Sequence, residues 1–351
     1  MRQQTITKWV SEKEEENYYF VSIWNSSLSN PVETYWTKEK PKKYWKKMIK
    51  IGYREVILYS SYIPTESDYS SFYELEKYTS FLLSHLQKCV RRNNYRMAVH
   101  TAEILLEVSP ISFLRRLPII MIEDSYIHYS LHTIIWLLCI VSNGLKLEEN
   151  QKKWLLGVVY IISSCTYKEY IETSKFVFSK KITTIHTKKK EIQNIVYSLE
   201  ARRVYGGMKG DKIMIESYMN HYYTINTVWD TVFYKKVIPI YQKSIISKQY
   251  DWVYEAYDFH CSSFLLDTLE CEYPQYSKEE YKEMIWKNSS SITYKQVIQF
   301  QKNMYIPYEM RYTYIQKNWT VIKSYLQKKA NAYVYYMIQD IHQYIPEIIQ
   351  L

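Results

Sequence analysis

Six glycines and nine prolines serve all 351 residues, and that scarcity constrains the chain more than any other feature. Tight turns between strands draw on Gly for positive φ and on Pro for a preset φ, so a turn-dense β fold is hard to build from so few. Long helices joined by short loops need little of either. The expectation is a mainly α fold, a multi-helix bundle or array. The 39 tyrosines pull the other way, because Tyr suits a pleated strand better than a helix. Part of that excess follows codon composition. Lys, Ile and Tyr have AT-rich codons and Gly, Pro and Ala GC-rich ones, which points to an AT-rich genome such as that of a large DNA virus or a parasite.

With 47% apolar and 23% charged residues, the chain has the means to bury a core, and wholesale disorder is excluded as a description. The formal charge of +10 favours anionic partners such as nucleic acid, an acidic protein or a membrane surface. A solvated Lys-rich surface is the competing explanation. Five cysteines, odd in number, widely spaced and without a CxxC, argue against a disulfide framework and a cysteine-based zinc site, and favour a reducing compartment. The opening MRQQTITKWVSEKEEE has no apolar stretch to serve as a signal peptide. The most apolar run, Leu131–Ser142, falls short of the about 20 residues a membrane span needs and reads as a buried core helix. An intracellular protein without a transmembrane segment or cofactor is expected.

Residues 1–64 read as a small N-terminal subdomain, in which ENYYFVSIW and REVILYSSYI are candidate strands around the basic, aromatic segment 38–50. Residues 65–351 read as a helical domain. Phe72, Leu75, Leu82, Leu83, Leu86 and Val90 form one apolar stripe on a helix of about 25 residues. That helix ends in Arg91-Arg92-Asn93-Asn94, with Ser67 or Asp68 as candidate caps at its start. A second, Ala-containing helix follows from Met97. Ser109-Pro110 closes it or opens the next, and Pro118 is expected to kink or restart that third helix. Further helices are read near 129–142 and 151–165, one marked by Ile192, Ile195, Val196 and Leu199 that runs into Arg202-Arg203, and others near 212–245, 278–288 and 308–345, with a loop or two-stranded excursion over 176–190.

Half of the glycines fall in one place, YGGMKGDK, as Gly206, Gly207 and Gly210. One reading is structural: Gly206 closes a helix in the left-handed conformation, and Gly210-Asp211 makes a turn in which Asp211 caps the next helix. The other is a loop of free N–H groups flanked by Arg202, Arg203, Lys209 and Lys212, suited to a phosphate. Neither a Walker loop nor GxGxxG is present. Arg115-Arg116 lie two helical turns before Glu123-Asp124, which fits either a buried Arg–Glu pairing or a basic face. Asp258 and His260 form a DxH that suits an acid/base pair or half a metal site, or a satisfied core histidine. His128 and His132, four apart, have a metal-compatible spacing without HExxH, and no metal is assigned to them. Segment 38–50, with Tyr44 and Trp45 among its lysines, suits phosphates and bases or is a solvated loop. No nucleophile motif is found.

Residues 87–124, QKCVRRNNYRMAVHTAEILLEVSPISFLRRLPIIMIED, resemble the C-terminal helical region of MgsA/RarA/WRNIP-type AAA+ proteins and its stand-alone viral and phage relatives. Arg91, Arg92, Arg115, Arg116, Leu117, Glu123 and Asp124 carry the resemblance. It implies an all-helical, oligomerising module associated with replication or repair of DNA. Ser125 stands where the family has Gly, and the ATPase portion is missing, so ATP hydrolysis is not implied.

Taken together, the sequence is read as a non-enzymatic, nucleic-acid-associated accessory protein of DNA replication or repair, and as a homo-oligomer. It would bind backbone phosphates without sequence preference through Arg91, Arg92, Arg115, Arg116, Arg202, Arg203, Lys209 and Lys212 and the 206–210 glycines. A structural or assembly protein of a virion core is the first alternative. A divergent metal-dependent nuclease using Asp258, His260, Glu123 and Asp124 is the second.

Overall fold

The structure is a computed structural model and describes residues 18–24, 31–42, 44–66, 73–169, 189–224, 234–239, 241, 252–253, 256, 263–289 and 307–345. It is mainly helical with a small N-terminal sheet. The strands are β1 (Tyr18–Trp24), β2 (Pro31–Thr37), β3 (Trp45–Ile51) and β4 (Arg54–Ser60), in the order β2-β1-β4-β3. β1 and β4 pair in parallel at the centre, and each takes an antiparallel edge strand. β1 and β4 are the two runs legible in the sequence. The edges were not. β3 falls inside the basic segment 38–50, where exposed Lys46, Met48 and Lys50 alternate with Ile49 and Ile51 facing the core. Charged edge strands of this kind block further strand pairing, and the same lysines hide the strand from a hydrophobicity pattern.

One face of the sheet packs on helices. Phe20, Trp36 and Leu58 join the main core, with Phe20 and Trp36 stacked at 4.0 Å. Core side chains from both sides of residue 64 therefore belong to one apolar cluster. On the opposite face Tyr19, Val21 and Tyr59 form a small cluster of their own.

After a 3₁₀ turn at Tyr73–Tyr78 come α1 (Thr79–Arg91), α2 (Tyr95–Val108), α3 (Pro110–Asp124), α4 (Ser130–Val141), α5 (Glu149–Ser164), α6 (Lys190–Val204) and α7 (Lys209–Thr224). Then follow α8 (Ser263–Glu272), α9 (Lys278–Ser289) and α10 (Pro307–Tyr344). The expected 25-residue helix is thus a 3₁₀ turn and a 13-residue α1; its candidate caps Ser67 and Asp68 lie outside the described residues. Asn93 takes φ +58 past the end of α1, and Asn94 accepts from Met97 N at 3.3 Å to cap α2. Every residue of α4 is buried, as its unbroken apolar run requires.

Of the kink or restart expected at Pro118, the restart does not occur: α3 runs through the buried proline as one helix. Proline removes one backbone bond there, and the fully buried Leu114, Leu117, Ile119 and Ile120 around it hold the helix against the core. The helix expected over 212–245 ends at Thr224, and residues 236–239 are non-helical. The excursion expected over 176–190 lies outside the described residues except for its end, which opens α6.

A second, smaller core gathers Leu265, Leu269, Tyr281, Ile285, Ile322 and Leu326 from α8, α9 and α10. α10 belongs to both cores, because its later turns place Val334, Met337, Ile338 and Ile341 in the main one at helical spacing.

The sheet is pinned to the helices by polar contacts. Asn194 Oδ1 on α6 accepts from Trp36 N at 2.9 Å, and Trp36 Nε1 donates to Ser198 Oγ at 3.1 Å. These bonds fix the axis of α6, whose last turn builds the site.

Candidate anion-binding cleft

α6 ends in the left-handed step expected of it. Gly206 has φ +84 and Gly207 has φ +139, both open to glycine and strained for other residues. α7 then starts at Lys209, one turn earlier than Gly210-Asp211 as cap would allow. Asp211 lies inside the first turn of α7, where its Oδ2 accepts from Met208 N at 3.3 Å. It thus closes the helix start from within, like the back-reaching half of a capping box. Gly210 sits in that turn with open space around it, so no steric need for glycine exists there.

Arg202 is 3% exposed and folds back into this bend. Its Nε donates to Arg115 O at 2.6 Å and its Nη1 to Gly206 O at 2.5 Å, tying the end of α6 to the middle of α3. Its hydrogen bonds go to backbone carbonyls, so its charge remains. Around it opens a cleft of about 380 Å³, lined by Ser112, Arg115, Arg116, Arg202, Gly207, Met208 and Asp211 with Leu83 at the side. Three guanidinium groups thus face one carboxylate. Among the described residues no carboxylate pairs with Arg115 or Arg116. Burial, with the positive charges of Arg115 and Arg116, pulls Arg202 down to about 10, against the pull of Asp211. The site is electrostatically under-compensated, and an entering anion would relieve it. The first turn of α7 adds its positive dipole end, with Lys209 and Lys212 exposed on it.

The structure brings together Arg115 and Arg116 of α3 with Arg202, Gly206 and Gly207 at the end of α6. It separates others. Arg203 points to the far side of α6, held bidentately by Glu200 at 3.0 Å and by Glu216 on α7 at 3.3 Å. Arg91 is the clearest correction. It is 4% exposed and its Nε lies 2.6 Å from Asp124 Oδ1, with Glu123 Oε1 3.6 Å from Nη2. A residue so buried and neutralised has no surface to offer a phosphate. Arg92 is the half-buried C-cap of α1; the nearby His85 imidazole is pushed well below its ordinary value by burial first, with the charge of Arg92 a minor contribution.

The same contact answers for Glu123 and Asp124. Their partner is Arg91 of α1, with Gln87 Nε2 donating to both at 2.8 and 2.9 Å, so of the two alternatives read for Arg115 and Arg116 the pairing with Glu123 and Asp124 does not form. Asp258 and His260 lie outside the described residues. His128 precedes α4 instead of lying on it, and its ring nitrogens bond Ser130 Oγ and Lys236 O at 2.8 Å. His132 bonds Ser198 Oγ and Tyr234 OH at 3.0 and 3.1 Å. Both are satisfied core histidines, lowered by burial to about 4 and about 3. Among the described residues no three His, Cys, Asp or Glu side chains gather to hold a metal ion, and no helix is long and apolar enough to cross a membrane. Among the described residues, Cys89, Cys139, Cys165 and Cys271 form no disulfide.

Sequence reasoning missed Ser112 as a lining residue and missed the role of Asp211. The signal for Ser112 was there, since it stands one turn before Arg115 and Arg116 on α3. Comparison with known protein families, with curated protein sequences and with solved structures finds no match.

Proposed function

We propose that this chain is a non-enzymatic nucleic-acid-binding accessory protein that grips backbone phosphates in the Arg115–Arg116–Arg202 cleft. The observation that carries the reading is charge left over in a concave site. Arg115 and Arg116 face the cleft without a carboxylate partner, beside a buried Arg202 and a helix N-terminus. Guanidinium forks match phosphate oxygens in pairs, and their release of counterions supplies affinity. The net charge of +10 adds long-range attraction for a polyanion. The resemblance of residues 87–124 to the helical region of replication-associated AAA+ proteins favours DNA, replication or repair, and a homo-oligomer, whose mass light scattering would read. Lys209, Lys212 and the 206–207 backbone extend the grip. The buried Arg91 does not contribute.

The test is a titration of single-stranded and duplex DNA by fluorescence anisotropy at about 50 and about 200 mM salt, a range over which several phosphate contacts cost orders of magnitude in affinity. Binding should fall steeply with salt, and Arg115→Ala/Arg116→Ala should flatten the slope by between one and two. No binding at the lower salt would sink the reading.

A further inference from the structure

A second cavity lies on the other side of α6, and its chemistry complements the first. It measures about 130 Å³ and is lined by Tyr18, Trp36, Tyr53, Arg54, Tyr197 and Arg203 among others. That is a little below the about 150 Å³ of a cavity that encloses benzene, so a small ring would enter it only in part and lie against the aromatic side chains at its mouth. Its walls are aromatic, and its rim carries Arg54 beside an Arg203 that Glu200, also in the lining, already neutralises. Tyr18 and Tyr197 lie 5.6 Å apart between centroids, and the guanidinium of Arg54 sits 5.6 Å from the ring of Tyr18 and 5.5 Å from that of Tyr53. Lys38 Nζ is a further 5.5 Å from Tyr18.

Tyr53 is the unusual member. It stands at the tip of the two-residue β3–β4 turn after Gly52, whose φ of +64 fits the first central position of a type II′ turn. There it is 85% exposed, a position where hairpins ordinarily carry small polar residues. Folding gains little from a ring held in water, and contact with a ligand would account for it.

The two cavities are neighbours through the last turn of α6. A Cβ on Gly52 would touch Val204 at 3.5 Å, and one on Gly206 would lie 3.4 Å from Arg115 Nη2. The adjacent Arg202 and Arg203 face one cavity each. A path from aromatic pocket to arginine cleft therefore crosses only the tip of the hairpin and the end of one helix.

We propose that the ligand is single-stranded nucleic acid, with one unstacked base held by Tyr53, Tyr18 and Arg54 while a phosphate farther along the same strand sits in the arginine cleft. This deepens the phosphate reading above and rests on it. A base in a duplex has both faces covered by its neighbours and cannot enter such a pocket, whereas a base in a single strand can, and any base offers a π-face to stack. The small volume favours pyrimidines.

The experiment is an anisotropy titration at about 50 mM salt with fluorescein-labelled oligothymidylate, with a labelled duplex, and with thymidine monophosphate as competitor. Wild-type protein should prefer the oligothymidylate. Tyr53→Ala, at a site too exposed to threaten folding, should weaken oligothymidylate binding by about 5- to 100-fold and leave duplex binding unchanged. Tyr53→Phe should restore it, since stacking needs the ring and not the hydroxyl. If Tyr53→Ala binds oligothymidylate as the wild type does while Arg115→Ala/Arg116→Ala does not, the base pocket is refuted and the phosphate cleft survives. Displacement by thymidine monophosphate at matching concentrations overturns the strand in favour of a free nucleotide. Absence of binding to any nucleic acid overturns both proposals together.

Discussion

Two arginine pairs close two helices of this protein and end in opposite surroundings. At the end of α1, Arg91 is sealed against Asp124 and Glu123, with Gln87 completing the carboxylates' hydrogen bonds. At the end of α6, Arg202 is as deeply buried, but its donors reach the carbonyls of Arg115 and Gly206. Carboxylates cancel charge; carbonyls satisfy donors and leave the charge in place. The α1 end is therefore an internal tie between α1 and α3. The α6 end keeps a field, and Arg115 and Arg116 add to it. What separates the neutralised arginine from the one that keeps its charge is the supply of carboxylates around it, since burial is the same.

Acid should produce the largest effect, and it acts on neither arginine group. His100 and His128 are lowered to about 4 and His132 to about 3, in each case chiefly by burial. Their folded pKa values lie below the unfolded value of about 6.5, so the unfolded chain takes up protons first. Their stability contribution is whole above about pH 6.5 and drains away as pH falls toward 4. For a histidine at about 4 the loss reaches about 3 kcal/mol by about pH 4. Urea unfolding at pH 7 and pH 5 should show a clear fall in midpoint; an unchanged midpoint would contradict the burial of these rings.

Next in size, Arg91→Ala strands a buried carboxylate and should cost about 3–5 kcal/mol by urea unfolding, with nucleic-acid affinity per folded molecule unchanged. Loss of affinity without loss of stability would invert the comparison. Arg202→Ala should do both at a smaller scale. It orphans two carbonyls, at about 1–3 kcal/mol, and it weakens binding because the cleft loses a charge and the bond that sets Arg115. Gly207→Ala sharpens the comparison through backbone alone. At φ +139, with a Cβ 3.0 Å from the Asp211 carboxylate, it should cost about 1–3 kcal/mol and disturb the cleft without removing a charge. The smallest effect belongs to Lys209→Ala, exposed on α7. Stability should stay within about 0.5 kcal/mol, and the salt dependence of binding should flatten by less than one phosphate contact.

The helical content, the all-buried α4 and the two central strands were legible because each repeats a local pattern over seven or more residues. The edge strand β3 was not, because its exposed positions carry lysines that read as a solvated loop. Gly206 was legible as a helix terminator, since few conformations demand glycine after two arginines at a helix end. Which arginines pair was not. Arg116 and Glu123 share helical spacing, yet the ion pair forms between Arg91 and Asp124, whose meeting depends on how α1 packs on α3.

The sequence by itself determined the mainly helical character, the two central strands and the excess of positive charge, because these follow from local spacing and composition. The tertiary structure alone decided where that charge remains unspent. Ion pairing acts over a few ångströms between residues brought together by packing. Packing set a carboxylate against Arg91 and left Arg115, Arg116 and Arg202 to share one cleft with a single aspartate.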